Sequence, residues 1–396
     1  YTNLPERLSK EKIEKLYGET LQTSISRLEQ YRKCPFSFHL KYGLKLTENS
    51  NFQMQPIDTG SFMHNVIEEF FEEIKEKGIE IKEITKEECQ EIIEKIITEK
   101  LHLNENYIFT SSYKFISLTK RLKRAILQSV NYIINQIKAG DFSVLGTEME
   151  FKLGKQYPPI VLETENGKKI EITGKIDRID IAEFENKKYV RIIDYKSSAK
   201  DINLNEFTAG LQIQLITYLD AVTKIEDVLP AGVFYFNLME PIINAERKLT
   251  DEEIKEEIQK KFKMKGLVLA DINIIKHMDK NLESKASSII PVYLDTKGNI
   301  TQKFSSVATQ DEFTLLKNYA NKIIKEIAKE ILEGNIEIKP FYYGKNKNTP
   351  CQYCVYRSIC GFNPRMKGNQ YRYIQEKSEK ELLETMKQEL QERRKS

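Results

Sequence analysis

The chain has 396 residues, 40% hydrophobic and 31% charged, enough apolar content for a buried core and too much for wholesale disorder. No apolar run reaches the ~18–20 residues that span a bilayer, no secretory pattern opens the chain and no G-x-x-x-x-G-K-[ST] phosphate loop occurs, so a membrane protein, a secreted protein and a P-loop motor are set aside and a cytoplasmic protein is expected. The net charge of +3 hides two basic segments: residues 23–46 carry five basic side chains against one Glu, and residues 340–375 carry six with no acid, which leaves the remainder net negative.

Residue 1 is Tyr rather than Met, which suggests a piece of a longer protein, and the length suggests two or three structural units. A short helix is predicted at 9–17 and another from Ser24–Ser26, where Ser26 and Glu29 have capping-box spacing. Asp58 opens a helix with Phe62, Val66, Phe70 and Ile74 on one apolar face. The twelve Glu and five Lys of residues 66–99 read as the solvated faces of two helices, and residues 118–138 as a further amphipathic helix. After Gly146, segments 147–153, 157–163, 169–182 and 188–196 are β-rich, with turn signals at Pro158-Pro159 and Asn166-Gly167. A helix at 210–223 precedes an apolar strand at 230–238. Residues 240–310 read as irregular, apart from a helix opening on a Thr250–Glu253 capping box and a strand at 289–295. A long helix runs from a Thr309–Glu312 capping box to Gly334, and the chain ends in a charged helix from Lys380, suited to docking on a partner. The expected division is a helical region at 1–145, a sheet-and-helix core at 146–240, an insertion with the long helix at 241–339, and a basic, aromatic segment with the last helix at 340–396. The class is α/β with helical flanks.

Five cysteines and no secretory signal argue against a disulfide framework. Cys351, Cys354 and Cys360 form a C-x2-C-x5-C cluster, a density typical of a metal site, because a C-x2-C turn aims two sulfurs at one point. The fourth ligand must be Cys34, Cys89 or a group outside the chain. Cys89 heads an apolar stripe with Ile92, Ile93 and Ile96 and reads as a core residue. Cys34, before Pro35 and among basic and aromatic residues, is the preferred ligand. The metal would then be a clasp across a 317-residue gap, and spacing alone leaves both zinc and an iron–sulfur cluster open. Around it, residues 340–375 interleave six cations with eight aromatics, a mix suited to single-stranded nucleic acid. Lys345, Lys347 and Arg357 are the expected phosphate contacts. The competing reading is that the aromatics simply cover the metal site.

The stretch from Gly174-Lys-Ile-Asp177-Arg-Ile-Asp180 to Ile193-Asp194-Tyr-Lys196 carries the most chemistry. Its apolar positions change phase near Asp177, which predicts a bulge or sharp twist there. A hairpin turn at Glu185–Asn186 would set Asp177 opposite Asp194, with Asp194 and Lys196 on one face. Two carboxylates and a lysine on one side of a twisted hairpin suit a hard divalent cation, Mg2+ or Mn2+, and phosphodiester hydrolysis. The competing reading is an ordinary charged surface hairpin.

Together with Leu211-Gln-Ile-Gln214-Leu-Ile-Thr-Tyr218, these motifs resemble the RecB-type PD-(D/E)XK nucleases. The stretch from Ser24 through Cys34 to Phe38 and the three later cysteines resemble the branch that carries a [4Fe–4S] cluster, the AddB family of nuclease regions in bacterial AddAB helicase–nucleases. The resemblance covers roughly residues 20–375. It implies a restriction-endonuclease-like core sheet flanked by helices, with the termini clasped by a cluster on Cys34, Cys351, Cys354 and Cys360. It implies a metal site of His64, Asp177 and Asp194, with His64 supplied by Gly60-Ser-Phe-Met-His64. Lys196 would be the catalytic lysine, Gln214 and Tyr218 would position DNA, and Glu148 or Glu150 would match a weaker upstream Glu. The implied activity is Mg2+-dependent exonucleolytic cleavage of single DNA strands at processed double-strand breaks, on the 5′-ended strand, with an AddA subunit as partner. The alternatives are a CRISPR-associated iron–sulfur exonuclease and a non-catalytic iron–sulfur scaffold that binds DNA ends.

Overall fold

A computed structural model describes residues 5–47, 56–238, 242–245, 247–344 and 348–395. The chain opens with α1 (Lys10–Tyr17), β1 (Leu21–Ser24), α2 (Ile25–Lys33) and the single turn α3 (Pro35–Phe38). Ser24 rather than Ser26 caps α2, accepting from the Arg27 N–H. Glu29 makes no capping box; its side chain turns into the interior. Three helices follow: α4 (Pro56–Glu76), α5 (Lys86–Leu101), which starts on a Thr85–Glu88 capping box, and α6 (Tyr113–Lys138). They pack on one another, burying Phe62, Val66, Phe70, Cys89, Ile93 and Ile96.

The sheet region contains β2 (Ser143–Phe151), β3 (Ile160–Glu163), β4 (Lys169–Phe184) and β5 (Lys187–Lys196), then α7 (Leu204–Thr208), α8 (Gln214–Ile225) and β6 (Leu229–Asn237). The strand β4 is the hub, pairing with β1 in parallel and with β2, β3 and β5 antiparallel. The hairpin register is the one expected: Phe184 pairs with Lys187 and Arg178 with Ile193. Glu185 and Asn186 take φ of 49° and 60°, the left-handed pair that a two-residue turn matched to strand twist requires. After the α7–α8 crossover, β6 runs parallel to β5. The expected bulge is displaced. The register shifts in β2, between Val144 and Gly146, rather than at Asp177.

Beyond residue 240 the chain forms α9 (Asp251–Phe262), β7 (Lys265–Leu269), α10 (Ile272–Met278), β8 (Val307–Ala308) and α11 (Gln310–Leu332). Here β7 and β8 extend the main sheet beyond β6, so strands from the expected helical region and insertion share one sheet with the core. The strand expected at 289–295 is replaced by isolated bridges, Tyr293 to Ala286 and Leu294 to Ile300; its apolar side chains are buried by a compact loop rather than by a ladder. The last elements are β9 (Phe341–Tyr343), α12 (Arg357–Cys360), β10 (Arg372–Ile374), parallel to β9, and α13 (Glu379–Lys395). The charged helix α13 docks on the chain itself: Leu382 and Met386 are buried against α11, and Glu389 accepts from Tyr319 Oη at 2.9 Å and Lys322 Nζ at 2.6 Å. In turn α11 packs on α8, and α8 on β5 and β6. No helix among the described residues is long and apolar enough to cross a membrane.

Candidate active site

The β4–β5 ladder ends at Arg178 and Ile193. One residue further on, the Asp177 carboxylate accepts from the Tyr195 N–H at 2.6 Å, so a side chain takes over where backbone pairing stops. On its other side Asp177 faces Glu148 of β2, between the pairs Thr147–Arg178 and Met149–Ile176. Glu148 has φ of 49°, which a non-glycine residue adopts at a cost. His64, on α4, completes the group: its Nδ1 lies 3.5 Å from Asp177 Oδ2 and 3.9 Å from Glu148 Oε1. Among the described residues these three form the one trio of potential metal-binding side chains whose ligand atoms all lie within 4.8 Å of one another. Of the two upstream glutamates, Glu148 is the one that stands in this trio; Glu150 pairs with Lys155 at the surface.

Asp194, expected to join His64 and Asp177, stands outside that trio, where Glu148 takes its place; it is buried nearby and pairs with Lys196. Burial, then the neighbouring Asp194 carboxylate, pushes Asp177 up to about 7, against the pull of His64, Lys196 and the Tyr195 N–H. Burial would lower Lys196, but Asp194, Asp177 and Glu29 outweigh it and hold the ammonium charged. Oxygen donors with one imidazole are the set a hard divalent ion takes, and the excess carboxylate charge is what such an ion would offset.

Beneath the site the rest of the motif is structural. Arg178 and Asp180 are buried; Arg178 donates to Asp180 and to the Tyr195 hydroxyl, and Arg191 Nε donates to Asp180 at 2.8 Å. These bonds lock the hairpin whose opposite face carries Asp177 and Asp194. On α8, Gln214 is half-buried, whereas Tyr218 is buried and stacked on Phe151. Burial raises the Tyr218 hydroxyl, against the pull of the neighbouring Gln214 side chain and Lys175 N–H. Gly174 is required by this packing, since a Cβ there would lie 2.4 Å from Tyr218 Oη. Sequence reasoning missed Glu29, whose Oε1 accepts from the N–H groups of Ile213 and Gln214 at 2.9 and 3.2 Å and so anchors the first turn of α8. Its capping-box spacing was a competing signal for the same residue. It also missed Glu68, four residues after His64, and Lys175, two before Asp177.

All five cysteines are free thiols. Cys89 is fully buried in the α4–α6 core. Cys34, Cys351, Cys354 and Cys360 line one cavity of about 660 Å3, joined by Glu29, Lys33 and Lys200 on the side nearer α8. Burial pushes the Cys34 thiol up to about 11, against the pull of the nearby backbone N–H groups of Ser37, Lys339 and Phe36. Burial raises the Cys351 and Cys354 thiols as well, against the pull of the Thr349 side chain and the Tyr356 N–H. No three of these sulfurs close to within 4.8 Å of one another. Arg357 is exposed on the rim of this cavity, while Lys345 and Lys347 lie outside the described residues. Phe341, Tyr353, Tyr356, Phe362 and Tyr371 line the cavity with the cysteines; Tyr342, Tyr371, Tyr373 and Phe362 pack on one another, with Tyr353 and Tyr373 exposed.

The profile of the PD-(D/E)XK nuclease superfamily matches residues 22–361 of the chain. Among curated proteins, the B subunit of the ATP-dependent helicase/deoxyribonuclease of Clostridium novyi is 40% identical over 396 residues, covering 98% of this chain and 34% of that protein. The protein of the same name from Clostridium tetani is 42% identical over 398 residues, covering 99% and 34%, respectively. The one from Caldanaerobacter subterraneus is 40% identical over 385 residues, covering 96% and 33%. The chain thus spans about a third of the length of these relatives.

Proposed function

The chain belongs to the PD-(D/E)XK nuclease superfamily, and on that premise we propose that it is the divalent-cation-dependent deoxyribonuclease part of an AddB-type subunit. The substrate would be single DNA strands released at double-strand breaks, cut exonucleolytically on the 5′-ended strand. The observation that carries this is the convergence of His64, Glu148 and Asp177 beside the Asp194–Lys196 pair. The relatives' name, the B subunit of an ATP-dependent helicase/deoxyribonuclease, supports DNA as substrate and a helicase-bearing partner of the AddA kind.

In this reading His64, Glu148, Asp177 and Asp194 hold Mg2+ or Mn2+. When bound, the ion would polarise the scissile phosphodiester and lower the pKa of a water. Lys196, kept charged by Asp194, orients the attacking water and counters charge developing on the phosphoryl oxygens. Gln214 contacts the strand from the first turn of α8, and the buried Tyr218 positions Gln214 from below. Arg357, on the rim of the cysteine cavity, guides the strand, and Lys345 and Lys347 add phosphate contacts.

Cys34, Cys351, Cys354 and Cys360 would hold a [4Fe–4S] cluster, whose part is structural because phosphodiester hydrolysis moves no electrons. The backbone N–H groups that lie close to Cys34 suit a cluster thiolate. A single zinc, with Zn–S near 2.3 Å, would draw its sulfurs to within about 4 Å of one another, closer than any three of these stand.

The test is degradation of end-labelled single-stranded DNA in Mg2+, with EDTA and Asp194→Ala as controls. Cleavage abolished by both is expected, and the order of labelled products gives the polarity. Cleavage that survives Asp194→Ala would sink this assignment.

A further inference from the structure

Lys175 precedes Asp177 by two residues on β4, so the two side chains leave the strand on one face. Its ammonium pairs with Glu148 Oε2 at 2.5 Å and lies 3.5 Å from Glu68 Oε1. Glu68 follows His64 by four residues on α4, one turn along the same helix face. Glu148 is therefore a bridging carboxylate: Oε1 is turned to His64 Nδ1, Oε2 to Lys175. Two carboxylates sharing one group, next to a first metal position, have the disposition that a second divalent ion takes in two-metal phosphodiester chemistry. In this chain that place is filled by an ammonium.

Lys175 thus sets a cationic side chain between the Glu68 and Glu148 carboxylates, beside the His64–Glu148–Asp177 trio. Resting on the nuclease reading above, we propose that Lys175 occupies the second-cation position and holds the site to a single divalent ion. Its side chain is 41% exposed, so it can be replaced without opening the core.

Titration calorimetry with Mn2+ on the purified chain tests this. The unsubstituted chain binds one ion at this site. Lys175→Met, which keeps the bulk of the stem and removes the charge, binds two, and Lys175→Arg returns the count to one. Asp177→Ala is carried alongside to identify the site. Two ions on the unsubstituted chain, or one on Lys175→Met with binding still lost in Asp177→Ala, overturns the role of Lys175 alone. Mn2+ binding that is absent from the unsubstituted chain, or indifferent to Asp177→Ala, overturns the nuclease reading and this inference together.

Discussion

Asp177 carries the electrostatic burden of the site. Its pKa rises from 3.8 to about 7, first because it is buried and then because Asp194 stands beside it. Between those two values the ion-free folded chain retains a proton that the unfolded chain has released. The stability this group contributes therefore falls as pH rises through the window, and the full cost is reached above about 7. A divalent ion must displace that proton. Mn2+ affinity is expected to rise from about pH 5 to about pH 7 and then level, with up to one proton released per ion at the acid end. Calorimetry in two buffers of different ionisation enthalpy measures the release; an affinity flat across this range would contradict it. The neighbouring choice between Glu148 and Glu150 shows where sequence reading stops. Strand alternation puts both on the same nominal face, and what separates them is the left-handed φ of Glu148 and the surface pairing of Glu150 with Lys155. Neither leaves a trace in residue type.

At the scale of elements, local signals were legible where they had no competitor. The β4–β5 register followed from one turn and one alternation, and the Thr250 and Thr309 capping boxes formed where expected. At the start of α2, two serines two residues apart offered two caps, and a distant contact decided between them. Glu29 is worth more to α8 than to its own helix, because it accepts from two N–H groups that would otherwise be orphaned in the interior. Burial raises its pKa, against the pull of Lys200 and those two N–H groups. Glu29→Ala is expected to cost about 1–3 kcal/mol, read by chemical denaturation, and to weaken cleavage by releasing Gln214. Glu29→Gln keeps an acceptor oxygen and should cost clearly less. Equal losses in the two variants would mean that bulk, not acceptance, is what α8 needs. The strands β7 and β8 were illegible for the same reason in reverse: five and two residues long, they are strands only because β6 offers an edge to β7 and β7 one to β8.

Across the whole molecule, the two ends of the chain are held together by two kinds of link. Ordinary hydrogen bonds already join them: Phe36 N–H donates to Glu337 O, Tyr31 Oη to Asn335 O, Tyr356 Oη to Leu46 O and Arg372 to Arg32 O. The proposed cluster would add a covalent tie between Cys34 and the 351–360 segment. In a chain-entropy picture, cross-linking a span this long constrains the unfolded state by up to about 5 kcal/mol. The realised gain is smaller wherever the unfolded chain keeps residual structure. The tie should matter most for residues 350–364, whose only regular elements are a 3-10 turn and the four-residue α12. They have little apolar burial of their own beyond Tyr356. Cys354→Ala is accordingly expected to lose the brown colour of the cluster, to lower the melting temperature, and to make residues 340–375 the first site of proteolytic nicking. The sheet core, whose packing does not involve the cysteines, should keep its far-ultraviolet dichroism at low temperature. A colourless Cys354→Ala protein that melts with the unsubstituted chain would mean that the hydrogen bonds alone hold the ends. The cluster would then have no structural role, and its four ligands would need another explanation.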